Sequence, residues 1–130
     1  MKLSLSQKGP FAPPPVLAAM PELVSLAVQS WPGVIAATHW YLFDRSEIDG
    51  VDFYVGDDEL GHIHLDGEVH LATSSELSKS LIDAELARPF QFGGSYASWC
   101  EFSVRKRADV DRAIWLFRQN YDRITNRRAA

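Results

Sequence analysis

The chain has 130 residues, 46% of them hydrophobic and 12% aromatic, which is enough for one ordinary hydrophobic core and too little for two domains. Its 13 basic and 17 acidic side chains give a net charge of −4, so it lacks the positive field on which most nucleic-acid binding depends. The single cysteine, Cys100, cannot form an internal disulfide; prolines interrupt the early apolar residues that a signal peptide would need, and no apolar run could span a bilayer. We therefore expect a cytoplasmic protein that binds neither nucleic acid nor membranes.

The first part of the chain is predicted to be an extended arm followed by a helix. Residues 1–15 end in three successive prolines, which fix φ and remove amide donors, so we expect an extended, peripheral arm there. The following residues, 16–126, are predicted to form a single domain. Apolar residues at helical spacing predict its first helix over residues 21–31, ended by Pro32-Gly33.

Strands are predicted next along the chain. Residues 34–43 are rich in β-branched and aromatic residues and predict a first strand. We expect a polar loop at residues 44–50. Residues 51–55 have the two-residue period of a half-buried strand. The segment 60–72 then predicts a β-hairpin with an Asp66-Gly67 tip, which is a strong turn signal.

The second half of the chain predicts two more helices around one more strand. Residues 73–76 have the sequence of a capping box, which predicts a second helix that continues towards Pro89. A glycine-containing loop is expected at residues 90–98, a strand at residues 99–104 and a last helix at residues 108–124. The order α-β-β-β-β-α-β-α predicts an α+β domain whose mainly antiparallel sheet of four to five strands packs against helices.

The predicted hairpin is the most informative segment, because it carries three of the four histidines. His62 and His64 are two residues apart on one arm, so their side chains share a face and can act on one ligand. His70 lies on the other arm. A two-residue Asp66-Gly67 turn, the form that this dipeptide favours, would put His70 on the opposite face. A three-residue turn with a glycine bulge would let the three histidines converge.

Four further side chains are candidates for the same site. Glu59 reaches the face of the histidines only if the strand starts early or bulges at Gly61; we favour a turn carboxylate within an acidic run. His39, on another strand, is a candidate ligand or general base from across the sheet, although a hydrogen-bonded sheet histidine is the commoner case. Tyr54 and Trp99 are candidate walls of a pocket that binds a ligand, although packing is the commoner fate of a tryptophan.

The motif Glu59-Leu60-Gly61-His62-Ile63-His64, with Trp31-Pro32-Gly33-Val34 before it and Trp99 after it, resembles the luciferase-like domain family. This family occurs in many bacterial proteins without an assigned activity and in the fungal luciferases, and the resemblance covers about residues 30–124. The fungal members oxidise a hydroxylated styryl-pyrone with molecular oxygen, without a metal or organic cofactor. The resemblance therefore implies catalytic roles for Glu59, His62 and His64, with the two histidines as base and orienting partner.

Two positions depart from the family pattern. Asp58 precedes the motif glutamate, where many members have arginine. Pro89-Phe90-Gln91 follows the second helix, where members carry a histidine. If that histidine belongs to the active site of the family, this chain lacks one catalytic partner.

The leading hypothesis is a domain that binds a small aromatic or enolic molecule beside His62 and His64, with a cofactor-independent, oxygenase-like activity as its candidate chemistry. Two alternatives stay open. One is a non-catalytic module that binds a ligand or a partner, and the other is a metalloprotein using His62, His64 and one of His70 or His39. An aromatic pocket beside the histidines would favour chemistry, and a flat, solvated face would favour the binding module.

Overall fold

An antiparallel sheet with strand order β1-β2-β3-β4-β6-β5 organises the chain. The computed structural model describes residues 3–91 and 98–129. The strands are β1 (Val34–Tyr41), β2 (Asp44–Val55), β3 (Asp58–His64), β4 (Glu68–Leu71), β5 (Arg88–Pro89) and β6 (Cys100–Ser103). The helices are a short 3₁₀ helix (Leu5–Lys8), α1 (Ala19–Gln29), α2 (Ser75–Asp83) and α3 (Arg107–Ala129). The predicted α+β class and antiparallel sheet are confirmed, with one short strand, β5, in addition to the expected five.

One face of the sheet is apolar, and α1 and α3 pack against it. Phe117 of α3 meets Phe53 of β2 edge-on, with ring centroids 5.3 Å apart. The side of α3 that enters this core consists of Val110, Ala113, Leu116, Phe117, Tyr121 and Ile124. The apolar spacing of the last helix therefore predicted the core correctly. Within the described part of the chain, no helix combines the length and apolarity needed to cross a bilayer.

The other face of the sheet is polar and nevertheless buried. Asp52, His62, His70 and Glu101 project from it on four neighbouring strands, and all four are buried. The prediction that residues 51–55 form a half-buried strand is therefore wrong: this part of β2 is buried on both faces. Apolar and polar residues do alternate in residues 51–55, but the polar side chains contact other polar groups instead of water.

The predicted loop at residues 44–50 is also wrong, because this segment is the first half of β2. The chain turns between β1 and β2 at Leu42 and Phe43 only. Residues 44–48 are exposed in the strand. A strand that is exposed to solvent on both faces needs no apolar residues, so its sequence has the composition of a loop.

The beginning and end of α2 differ from the capping-box prediction. Ser74 is the N-cap, and its hydroxyl accepts a hydrogen bond from the Leu77 amide at 3.1 Å. Thr73, the predicted cap, instead donates its hydroxyl to the Ser98 carbonyl at 2.8 Å. The helix ends at Asp83, well before Pro89. Most of the loop predicted at residues 90–98 lies outside the described residues, which omit 92–97.

The amino-terminal arm is not peripheral, contrary to our expectation. The Thr38 amide and hydroxyl, in edge strand β1, donate to the carbonyls of Ala12 at 2.9 Å and Pro13 at 2.7 Å. The Tyr54 hydroxyl donates to the Leu3 carbonyl at 2.7 Å. The arm thus first crosses the polar face of the sheet and then covers the edge of β1, which protects an otherwise open strand.

Candidate functional site

The turn between β3 and β4 brings the histidines of the hairpin together. His62 lies directly opposite His70 in the ladder, and the chain turns through three residues between the strands. The Gly67 amide donates to the His64 carbonyl at 3.0 Å, and Gly67 has φ +90°, which glycine adopts without strain. The two-residue turn that we favoured is therefore wrong. His70 projects from the same face as His62 and His64.

A β-bulge in β3 places Glu59 on this face as well. The register with β2 shifts by one residue at Leu60, so Glu59 and His62 project to the same side. Glu59 Oε2 lies 3.0 Å from His62 Nδ1. Gly61 follows the bulge with φ +143°, and a Cβ there would lie 2.2 Å from the His70 carbonyl oxygen. Our preference for a turn carboxylate was wrong, and the bulge alternative describes Glu59 correctly.

Each histidine of the hairpin points one ring nitrogen at a carboxylate and the other at a neighbouring histidine. The carboxylate pairs are His62 Nδ1 with Glu59 Oε2 at 3.0 Å, His64 Nδ1 with Asp49 Oδ2 at 2.9 Å, and His70 Nε2 with Glu101 Oε2 at 3.5 Å. On the inner side, His62 Nε2 and His64 Nε2 lie 3.1 Å and 3.2 Å from one atom, His70 Nδ1. Two imidazole nitrogens therefore face the same nitrogen of His70.

His39 joins this cluster from β1. Its Nδ1 lies 2.8 Å from Asp52 Oδ1, so it is a hydrogen-bonded sheet histidine, as expected. Its ring also stacks on that of His62, with centroids 3.9 Å apart and an interplanar angle of 12°. We call His39, His62, His64 and His70 the histidine cluster.

Sequence reasoning missed several charged members of the site. Asp52 is the one acidic residue of the segment 51–55, and Glu101 is the one acidic residue of β6; their position opposite to the core-facing residues was a usable signal. Asp49 was assigned to a loop. Lys8, whose Nζ lies 2.8 Å from Glu59 Oε1 and 3.2 Å from Asp52 Oδ1, has no signal in the sequence because it reaches the site from the arm.

Burial determines the protonation of the cluster. It lowers the pKa of His62 well below the usual range, with further lowering by the neighbouring His39, and it lowers the pKa of His70 to about 4. Burial also raises the pKa of the Glu59 carboxyl, although Lys8 opposes this shift. Burial by itself would lower the pKa of Lys8, but the charges of Glu59 and Asp52 raise it overall. At neutral pH, His62 and His70 are therefore uncharged beside a charged lysine.

A cavity of about 610 Å³ opens beside the histidine cluster. This volume lies within the range that small-molecule sites occupy. All four histidines line it, together with Phe90 and Trp99 and with the apolar tip of the β1–β2 hairpin. The Trp99 ring lies 5.9 Å from that of His62, and the Phe90 ring lies 4.8 Å from that of His70. Tyr54 is buried behind Glu59 and is not among the described residues that line the cavity.

The two departures from the expected family pattern also have structural roles. Asp58 Oδ2 lies 3.1 Å from both Arg127 and Arg128, and so ties the start of β3 to the end of α3. Phe90, in the segment where a histidine was expected, supplies an aromatic wall against His70. The histidine cluster of this chain is thus closed at that side by an apolar ring.

The fold and the site define an α+β domain with a buried cluster of imidazoles and carboxylates beside an aromatic-walled cavity. Residues 57–120 match the family model described as Luciferase domain, which confirms the resemblance to the luciferase-like domain family. A luciferase-like domain is therefore present in this chain, and its matched segment contains Glu59, His62, His64, His70 and Trp99. Searches of curated proteins and of solved structures give no match.

Proposed function

We propose that this luciferase-like domain binds a small aromatic or enolic molecule in the cavity and promotes its reaction with molecular oxygen. The observation that carries the proposal is the placement of His62 and His64. Both line the cavity, and both have Nδ1 held by a carboxylate. A carboxylate accepts hydrogen bonds, so each Nδ1 carries the proton and each Nε2 is an acceptor. Both Nε2 atoms face His70 Nδ1, which carries at most one proton, so one of them stays available to a ligand.

These acceptor nitrogens suit the first step of such a reaction. A phenolic or enolic hydroxyl would give its proton to Nε2 of His62 or His64, and the second imidazole would orient the hydroxyl. The negative charge of Glu59, 3.0 Å from His62 Nδ1, would stabilise the imidazolium that forms. The electron-rich anion would then pass its electrons to dioxygen beside the aromatic walls of the cavity.

The walls of the cavity favour a planar ligand. Phe90 and Trp99 lie 5.7 Å apart, centroid to centroid, on the side of the cluster formed by His70 and His62. Aromatic rings at such distances leave faces and edges for contact with a flat conjugated molecule. Lys8, which also lines the cavity, places a positive charge where the deprotonated ligand would carry a negative one.

The test is a panel of hydroxylated pyrones and polyphenols, with ligand binding and oxygen consumption measured separately. We expect Trp99→Ala to weaken binding, and Trp115→Ala, at a half-exposed position on α3, to leave binding unchanged. His64→Ala is expected to abolish oxygen consumption while some binding remains. Binding that Trp99→Ala leaves intact, or a panel in which no compound binds, would refute the proposal.

A non-catalytic binding module is the second candidate. The observation in its favour is that three of the four imidazoles, those of His39, His62 and His64, already share a hydrogen bond with a carboxylate, at 2.8 to 3.0 Å, as in a purely structural network. Ligand binding without oxygen consumption across the panel would favour this candidate.

A further inference from the structure

The carboxylates beyond His70 point to a metal site: we propose that Glu68, His70 and Glu101 bind one divalent transition-metal ion, with Nε2 as the ligand atom of His70. Such an ion goes beyond the proposed function, because it would lie on the side of the His70 ring opposite to Nδ1. It would leave the Nε2 atoms of His62 and His64 unoccupied and would fix the orientation of His70 beside them.

Strand pairing brings the three side chains together. His70 of β4 lies directly opposite Glu101 of β6, and Glu68 lies two residues before His70 on the same face of β4. One ligand atom from each of the three lies within 4.8 Å of those of the other two. The group therefore offers one imidazole nitrogen and two carboxylate oxygens, which are donors that Zn²⁺ accepts.

The separation of the two most buried ligand atoms matches that of metal ligands. His70 Nε2 lies 3.5 Å from Glu101 Oε2. Nitrogen and oxygen atoms bound at about 2.0–2.2 Å to a tetrahedral ion lie about 3.3–3.6 Å apart. Glu68 would need the larger adjustment, and its side chain is 20% exposed, so it has room to move.

Two buried polar atoms without partners carry the inference. The side chains of His70 and Glu101 are only 9% and 7% exposed. His70 Nε2 and Glu101 Oε2 have no hydrogen-bond partner among the described residues. Their distance exceeds the 2.7–3.2 Å of an ordinary N–H···O hydrogen bond. Buried polar atoms are nearly always satisfied, and an ion between these two would satisfy both.

The proton of the His70 ring favours an ion over a simple hydrogen bond. His62 Nε2 and His64 Nε2 are both acceptors, and both face His70 Nδ1. A proton on Nδ1 gives one of them a donor, whereas a proton on Nε2 would leave both without a donor from His70. With the proton on Nδ1, the Nε2 lone pair faces a carboxylate oxygen, and two acceptors that face one another require a cation between them.

Arg88 neutralises only part of the charge of the two carboxylates. Its Nη2 lies 2.6 Å from Glu68 Oε1 and 3.6 Å from Glu101 Oε1, while the Ser103 hydroxyl donates to Glu68 Oε2 at 2.6 Å. Each carboxylate oxygen has a second lone pair that an ion can use. Two carboxylates beside one guanidinium leave one negative charge, which favours a cation. The Arg88 side chain is half exposed, so it can turn towards solvent as an ion enters.

His39, His62 and His64 also have the ligand spacing of a metal site. An ion there would occupy ring nitrogens that the proposed function needs as proton acceptors. The two sites differ in the residues on which binding depends, so His39→Ala is the matched control for His70→Ala. Glu47→Gln, at an exposed position of β2, is the control for Glu101→Gln.

The test is a calorimetric titration of the tag-free, chelator-treated protein with Zn²⁺. We expect one ion per chain with a dissociation constant of about 10 μM or tighter, since three protein ligands hold the ion. Loss of an outer-shell partner alone weakens metal binding by about 10- to 100-fold, so His70→Ala and Glu101→Gln, which remove ligands, should each weaken it by about 100-fold. His39→Ala and Glu47→Gln should keep the wild-type affinity.

NMR of the wild-type protein with ¹⁵N-labelled histidines tests the same site without any substitution. Zn²⁺ should bind the Nε2 atom of a single histidine, and that ring should keep its proton on Nδ1. Binding to two or more imidazole rings would place the ion within the histidine cluster and would overturn the proposed site. So would a dissociation constant weaker than about 10 μM, or an affinity that falls in His39→Ala as much as in His70→Ala.

Ligand binding to the chelator-treated wild-type protein separates this metal site from the proposed function. If the panel compounds bind that protein and Zn²⁺ does not, the metal site fails alone. If Zn²⁺ binds and no panel compound does, with or without the ion, the proposed function fails alone.

Discussion

Replacing Gly61 by alanine tests the bulge that aligns Glu59 with the histidine cluster. The new Cβ would lie 2.2 Å from the His70 carbonyl oxygen and 3.1 Å from Leu71 Cα, both on the paired strand β4. Non-bonded carbon and oxygen atoms need about 3.3 Å, so β4 would have to move by roughly 1 Å. Gly61 also has φ +143°, where a side chain is strained.

These two effects set the expected size of the change. Strain at such a φ costs about 1–3 kcal/mol, and forcing atoms into packed surroundings costs about another 1–3 kcal/mol. We expect Gly61→Ala to lower the free energy of unfolding by about 3 kcal/mol or more in urea titrations. Gly33→Ala is the matched control, because Gly33 has φ +81° but no atom within 4 Å of the added Cβ. Its cost should be strain alone, about 1–2 kcal/mol. Equal losses in the two variants would refute the collision with β4.

Three further changes in stability are expected, each measured by thermal or urea unfolding. Phe117→Ala should cost about 3–5 kcal/mol because it empties the centre of the core, whereas His62→Ala should cost less; the reverse order would assign His62 a structural role. Ser74→Ala should cost about 1 kcal/mol by removing the N-cap of α2, and no loss would contradict the cap assignment. Asn120→Leu should cost about 1–3 kcal/mol, since the buried Asn120 amide donates to the Leu60 carbonyl at 2.8 Å; an unchanged free energy would show that the carbonyl finds another donor.

The sequence predicted those parts of the fold in which one face of a helix or strand packs against the hydrophobic core. The apolar residues of α3 recur at helical spacing, and those of β2 from Val51 onwards recur at every second position, so both elements were predictable. The exposed first half of β2 and the two-residue β5 bury too little apolar surface to leave such a pattern. Their pairing is set by the neighbouring strands, which local sequence does not encode.

The histidine cluster was predictable only in part. The two-residue period placed His62 and His64 on one face, and this does not depend on the rest of the fold. The face of the sheet from which His70 projects depends on the number of turn residues, and that of Glu59 depends on a bulge. An error of one residue therefore places either side chain on the opposite face. Asp52 reaches the cluster through the pairing of β1, β2 and β3, which has to be known before the contact can be inferred.

The amino-terminal arm makes the electrostatics of the site depend on a segment far away in the sequence. Lys8 balances Glu59 and Asp52, yet it lies about fifty residues before the segment that matches the family. A protein shortened to residues 16–130 would keep every strand of the sheet but would leave both carboxylates without this counter-charge and without the part of the arm that covers them. Water, a proton or a cation from solution would then have to take the place of Lys8 beside them. Removing the arm would thus change the charge of the site and not only shorten the chain.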